Sequence, residues 1–225
     1  MSDTAAWKAL SRVDWADPAN TETALRSALL LLRDPGTLNG LLAAACRDDR
    51  LLRLSEVRPW GDRLTVYDDP GSGVRLRLQH WLGGRTDPHA RPHNHRWSFA
   101  STILRGSYEH HLYGTVDEVT DRLAAGPVRP LRVRTEATGS LYVLHSDEVH
   151  AATAVPGTLS LLLRGPATAD HAVRLGPDHT TLSERKRGAS AESPAERPET
   201  PFTTRHAVRL ATELTAIRQA PVPPL

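Results

Sequence analysis

The stretch RPHNHRWSFASTILRGSYEHHLY, residues 91–113, decides how this chain is read. It opens on His93 and His95, runs through the β-rich STIL (101–104), and turns at Gly106 into a segment carrying Tyr108, His110, His111 and Tyr113. Side chains alternate between the two faces of a strand, so residues two apart project together, and a strand here would aim both imidazoles into one space. A second stretch, GSLYVLHSDEVH (139–150), brings His150 after a glycine and a Ser146-Asp147 turn. Three neutral imidazoles on one divalent ion leave coordination positions open for a substrate and O2. The competing reading is an accidental pair of surface histidines. The strand and glycine turn after the pair, and the third histidine behind a second turn, favour the ion.

Working outward, VRLRLQHWL (74–82), LRVR (131–134), LYVL (141–144) and TLSLLLR (158–164) are further β-rich runs. Asp69-Pro70-Gly71, Gly83-Gly84, Gly106, Gly139 and Pro156-Gly157 fall between them as turns. Many short strands at this spacing predict a mainly β barrel or sandwich. Ahead of them, residues 20–33 have helical apolar spacing with Asn20 or Thr21 as N-cap, and Pro35-Gly36 stops the pattern. A second short helix is expected over 37–48, with Cys46 on its apolar side as a packed thiol. After the strands, residues 176–202 are rich in Pro, Glu, Ser and Arg and read as a mobile linker. Residues 203–219 recover helical spacing through Val208, Leu210, Ala211, Leu214 and Ile217, a stripe to dock on this chain or on a second subunit in a homodimer. The expected organisation is a helical segment 1–50, a barrel 51–175, a linker 176–202, and a C-terminal helix and tail 203–225.

Composition narrows the function classes. The formal net charge is +2, and the basic residues are nearly all arginine, with lysine only at Lys8 and Lys186, scattered among acids. That pattern, without a helix-turn-helix, argues against nucleic acid as a partner. No apolar run approaches the roughly 20 residues of a membrane helix, and no signal-peptide pattern opens the chain, so a cytoplasmic location off the membrane is expected. One cysteine excludes an intramolecular disulfide and a thiolate cluster, which leaves His, Asp or Glu to hold any metal.

Over roughly residues 50–166 the chain resembles the cupins. His93, His95 and Gly106 stand where the first cupin motif has its paired histidines and closing glycine. Gly139 and His150 match the second motif, with His145 in place of its proline and Asp147 in place of its inner glycine. The glutamate of the first motif would fall near Phe99 or Ala100, where no carboxylate stands. The resemblance therefore implies a cupin (double-stranded β-helix, or jelly-roll) barrel with a three-histidine centre, holding Fe(II) or another divalent metal through His93, His95 and His150.

Within the cupins the chain is similar to the thiol dioxygenases, especially the cysteine dioxygenases, whose iron is held by histidines alone. The likeness rests on a helical N-terminal segment, Arg63 followed by the Asp68–Gly73 turn and a strand ending at Trp81, the His-x-His segment, and a final SLLLRGP strand. It implies that Arg63 holds a substrate carboxylate; an exposed strand arginine is the alternative. The family's Ser-His-Tyr relay matches Ser160, Leu162 and Arg164, so two of its members are missing, as are the residues of its cysteine–tyrosine crosslink. That departure points to a relative acting on a small anionic amino-acid-like or thiol substrate with O2, for instance an oxidative rearrangement in a specialised biosynthetic pathway. The other class is a metal-binding cupin isomerase, lyase or ligand sensor without oxygenase chemistry.

The remaining candidates follow from strand parity. Ser160 and Arg164 share a face of TLSLLLR; turned inward, Arg164 is a cation in need of a substrate anion, and turned outward it is surface decoration. His80 shares a face with Val74, Leu76 and Leu78, as a pocket residue or a core histidine. Tyr108 and His110 are catalytic candidates as proton donors, though either face of 107–113 could line the cavity. Trp97 and Phe99 share parity with the histidine pair and would wall the site or fill the core.

Overall fold

A computed structural model describes Trp7, Leu10 and residues 12–82, 91–186 and 202–219. Three helices with described bounds precede the first strand: α1 (Pro18–Leu32), α2 (Pro35–Ala45) and α3 (Asp49–Arg53). Each is started by an aspartate. Asp17, Asp34 and Asp48 accept hydrogen bonds from first-turn backbone amides, and Pro18 and Pro35 follow two of them where a missing N–H costs nothing. The expected cap at Asn20 or Thr21 is thus replaced by Asp17, and Pro35-Gly36 opens the second helix as well as closing the first. Cys46 caps α2 and packs on the core, where burial pushes its thiol pKa up.

The strands are β1 (Glu56–Arg58), β2 (Gly61–Asp68), β3 (Arg75–Trp81), β4 (Phe99–Arg105), β5 (Ser107–Thr115), β6 (Arg132–Ala137), β7 (Leu141–Leu144), β8 (Glu148–Ala154), β9 (Thr158–Arg164), β10 (His171–Leu175) and β11 (Leu182–Lys186). A helix α4 (Val116–Leu123) lies between β5 and β6, and α5 (Thr204–Gln219) closes the chain. All pairings are antiparallel: a six-stranded sheet β1-β2-β3-β9-β4-β7, a three-stranded sheet β6-β5-β8, and the pair β10-β11. Trp81, Phe99, Ile103, Tyr142 and Leu162 of the large sheet meet Tyr108, Ala152 and Ala154 of the small one in a shared interior, the lumen. This is the expected mainly β barrel of antiparallel sheets, with N-terminal helices and a C-terminal helix.

Both faces of the large sheet are buried. Leu64, Leu76, Leu78, Leu159, Leu161 and Leu163 point away from the lumen, against Leu25, Leu29 and Leu32 of α1 and Leu38 and Leu42 of α2. Full burial of each leucine contributes roughly 1.5–3 kcal/mol, so the helices that cover this face are part of the barrel's own core.

Gly106 takes φ +82° between β4 and β5, and a Cβ there would lie 2.9 Å from Thr158 Cα. Only glycine combines that backbone angle with so close an approach.

The C-terminal helix docks on this chain. Ala207 and Leu210 enter the helix-covered core, Arg209 pairs with Asp62, and Glu213 lies 3.4 Å from Arg105 Nη2. Val208 faces outward, because the docking stripe runs through Ala207, Leu210 and Ala211; the side chains of Leu214 and Ile217 lie outside the described residues. The expected linker begins inside structure, since β11 pairs along its length with β10. Its remainder, 187–201, lies outside the described residues, as does the Gly83-Gly84 turn. No described helix is long and apolar enough to cross a membrane.

Candidate metal centre

His93 is not within a strand of its own. It forms single bridges to His150 on β8 and to Arg174 on β10, so the expected strand over His93–His95 is reduced to one rung. That rung matters. His93 N donates to His150 O and His150 N donates to His93 O, each at 2.8 Å, and residues opposed this way project side chains to the same side. Asn94, between the two histidines, turns the other way. Its Nδ2 donates to Ser146 O at 2.8 Å and its Oδ1 accepts from Val173 N at 2.6 Å, which pins the loop to β10 and to the turn before β8.

The ligand atoms of His93, His95 and His150 all lie within 4.8 Å of one another, and the group contains no carboxylate. His95 Nε2 and His150 Nε2 are 3.0 Å apart. Two nitrogens each about 2.1 Å from one ion and about 90° apart would be separated by the same amount, so the spacing fits a shared divalent ion. His93 Nδ1 lies 2.8 Å from Arg91 O, a contact that occupies Nδ1 as donor and leaves Nε2 as the ligand. His150 Nδ1 lies 3.0 Å from His110 Nε2. The donor set is three neutral nitrogens and suits Fe(II), with Zn(II) and other borderline ions also accommodated.

Two aromatic rings wall the group. Trp97 stacks on His95 at 4.4 Å between centroids and 22° between planes, and Phe99 meets His95 edge-on at 5.1 Å. Phe99 also belongs to the lumen cluster, so it both walls the site and fills the core. On β9, Arg164 is the register partner of Phe99. Its guanidinium lies 5.4 Å over the Trp97 ring and donates to Gly165 O at 3.1 Å and Gly73 O at 3.4 Å. Among the described residues it makes no ion pair. Burial lowers its pKa to about 10, helped by the charge of Arg75.

The other candidates divide by face. Tyr108, His110 and Leu112 point into the lumen, while Tyr113 faces Val119 of α4 and His111 pairs with Glu109 on the outside. Tyr108 Oη donates to Ser160 Oγ, which also accepts from Trp81 Nε1 at 3.3 Å and donates to Gln79 Oε1 at 3.3 Å. Burial pushes the Tyr108 phenol far up, so it stays a donor. Ser160 thus has a tyrosine partner, supplied by β5 and not by its own strand. The pair sits four residues from Arg164 along β9, about 13 Å deeper at strand rise.

Of the two alternatives for His80 the core one holds, and Arg63 has partners of its own. His80 does not line the lumen: Arg75, Arg77, Gln79 and Trp81 take the inner face of β3, and His80 lies with the leucines on the helix-covered face, 3.7 Å from Glu213. Arg63 is on the inner face of β2 but already engaged, 4.3 Å over the Trp60 ring and 3.7 Å from Glu56 Oε2. The sequence reading missed that Glu56 gathers Arg58, Arg63 and Arg77 around it. Burial pushes the Glu56 carboxyl up, but the three guanidinium groups more than offset this and hold it below the usual range. Burial brings Arg77 down to about 9. Its Nε has no hydrogen-bond partner among the described residues. The alternation in VRLRLQHWL carried that signal, with the arginines and Gln79 as the inward set.

No family model matches the chain, and no curated protein does. Among solved structures it is similar to KdgF from Halomonas sp., at 21% identity over 49% of this chain and 84% of that one, with a TM-score of 0.37. An RmlC-like cupin from Shewanella frigidimarina is 13% identical over 52% of this chain and 86% of that one, TM-score 0.36. The polyketide cyclase RemF from Streptomyces resistomycificus is 20% identical over 56% and 83%, TM-score 0.38. These likenesses extend over about half of the chain, and the chemistry of the site rests on its own residues.

Proposed function

We propose that the chain is a non-haem Fe(II) cupin oxygenase acting with O2 on a small anionic substrate of the amino-acid or thiol type. The observation that carries this reading is Arg164, a largely buried guanidinium without a carboxylate partner among the described residues, which lies over the same Trp97 ring that stacks on His95. Three neutral ligands leave the ion's full positive charge in the site, so a substrate anion is attracted to it. In this reading Arg164 holds the other end of such a substrate by donating a two-pronged, charge-assisted hydrogen bond. Arg77, with its unpartnered Nε, adds to the positive field of the same wall.

Ferrous iron, when bound, supplies the one-electron and O2 chemistry that side chains lack. The protein's own contribution is orientation and exclusion of water. Trp97 and Phe99 close the sides of the histidine group, and Tyr108 holds its proton at Oη at the inner end, bonded to Ser160.

The test is metal analysis of untagged protein, followed by an oxygen-electrode screen of amino acids, thiols and other small carboxylates with the iron-loaded chain. Iron-dependent O2 uptake with an anionic compound supports the reading. Substrate turnover without O2 consumption would assign the site to isomerase or lyase chemistry instead.

A further inference from the structure

His110 is fully buried and points into the lumen, yet it is outside the three-histidine group. Its Nε2 is 3.0 Å from His150 Nδ1, and its Nδ1 is 3.4 Å from Glu136 Oε1 on the neighbouring strand β6. Arg134 pairs with the same Glu136 oxygen. The contacts form one line, from Arg134 through Glu136 and His110 to the far side of His150.

The line has a single consistent proton arrangement. To bind a metal through Nε2, His150 must carry its ring proton on Nδ1, and that N–H must find an acceptor. The nearest one is His110 Nε2, which accepts only if His110 carries its own proton on Nδ1. That Nδ1–H then needs an acceptor in turn, and Glu136 Oε1 is in place. Glu136 stays ionised for the role: burial raises its carboxyl, but His110 and Arg134 more than offset this. If the proton of His110 moved to Nε2, that N–H would compete with the N–H of His150, and Nε2 of His150 would become the protonated nitrogen.

We infer that His110, held by Glu136, is a positioning residue that fixes His150 in the tautomer exposing Nε2 to the metal. The inference rests on the metal-centre reading but not on the identity of the substrate. A neutral imidazole has two tautomers, and one of them hides the ligand nitrogen. An outer partner that settles the choice also fixes the ring plane, so its loss lowers metal affinity without touching a ligand.

The experiment uses the full chain, histidine-labelled with 15N, and Zn2+ as probe in competition with a chelator. Ring spectra of the metal-free protein should show His150 protonated at Nδ1 and unprotonated at Nε2. His110→Phe, which has no acceptor, should bind Zn2+ about 10- to 100-fold more weakly. His110→Gln should recover most of that loss, because its amide oxygen accepts from His150 and its amide N–H donates to Glu136; it also serves if the Phe variant does not fold. Equal Zn2+ affinity in His110→Phe and the unaltered chain overturns the inference, and so does a ring proton on Nε2 of His150. Absence of Zn2+ uptake by the unaltered chain would instead defeat the metal centre, and the inference with it.

Discussion

His93 and His150 exchange both backbone hydrogen bonds, N to O in each direction at 2.8 Å, although they are far apart in sequence. Two of the three ligands are therefore placed by the backbone and not by side-chain packing alone. The third, His95, is set by the loop that Asn94 pins and by the Trp97 ring stacked on it. Backbone and loop contacts thus bring the three ligands together without relying on the metal, which is what preorganised binding needs.

Arg164 is expected to orient the substrate. Arg164→Gln should lower kcat/KM by about 30- to 1,000-fold, the equivalent of about 2–4 kcal/mol for an anion left unpaired in a closed site. Arg164→Lys should not restore it, since lysine keeps the charge but loses the planar fork. Steady-state kinetics with metal content measured for each variant is the check. Near-normal kcat/KM in both would remove Arg164 from the site.

Glu56 should matter for stability, not for turnover. Its folded-state pKa is held below the ordinary carboxylate value by Arg63, Arg77 and Arg58 against the opposing effect of burial. The stabilisation is therefore complete above an unfolded-state value of about 4.3 and is lost as the pH falls through the lower folded value. Glu56→Gln leaves the guanidinium groups uncompensated and should cost about 3–5 kcal/mol at neutral pH. Urea denaturation between pH 3 and pH 7 should show a smaller acid-side loss for the variant than for the unaltered chain. Parallel curves would show that Glu56 is not the group responsible.

Gly106→Ala forces a methyl group toward Thr158 at a φ of +82°. The expected cost is at least about 1–3 kcal/mol of stability from the strained backbone. Metal stoichiometry should be retained, because the turn joins β4 to β5 away from the ligands. Thermal unfolding with a parallel metal assay separates the two, and an unchanged melting temperature would contradict the packing described for this turn.

Much of this was legible in the sequence where local pattern and tertiary role coincide. TLSLLLR (158–164) forms β9 over the same residues, and its parity puts Ser160 and Arg164 inward. The paired histidines and His150 meet as their spacing suggests. The reading was left open where a second layer decides the meaning of a face. In VRLRLQHWL the parity grouped His80 with the leucines without saying which face lines the lumen; the helices α1 and α2 bury the leucine side, so His80 is the core alternative and Arg77 and Gln79 take the inner face. Partners far apart in sequence, such as Glu136 for His110 or Tyr108 for Ser160, depend on sheet register, which no local pattern encodes. The helix starts were missed because Asp17-Pro18 and Asp34-Pro35 signal an N-terminus by capping chemistry, ahead of the apolar spacing.

The most direct test of the central claim is metal stoichiometry in the single variants His93→Ala, His95→Ala and His150→Ala. Each should be folded by circular dichroism yet hold little or no iron after anaerobic loading and desalting, because two imidazoles bind a divalent ion poorly. The unaltered chain should hold close to one ion per chain. Near-stoichiometric iron in any one of the three variants would contradict the three-histidine centre.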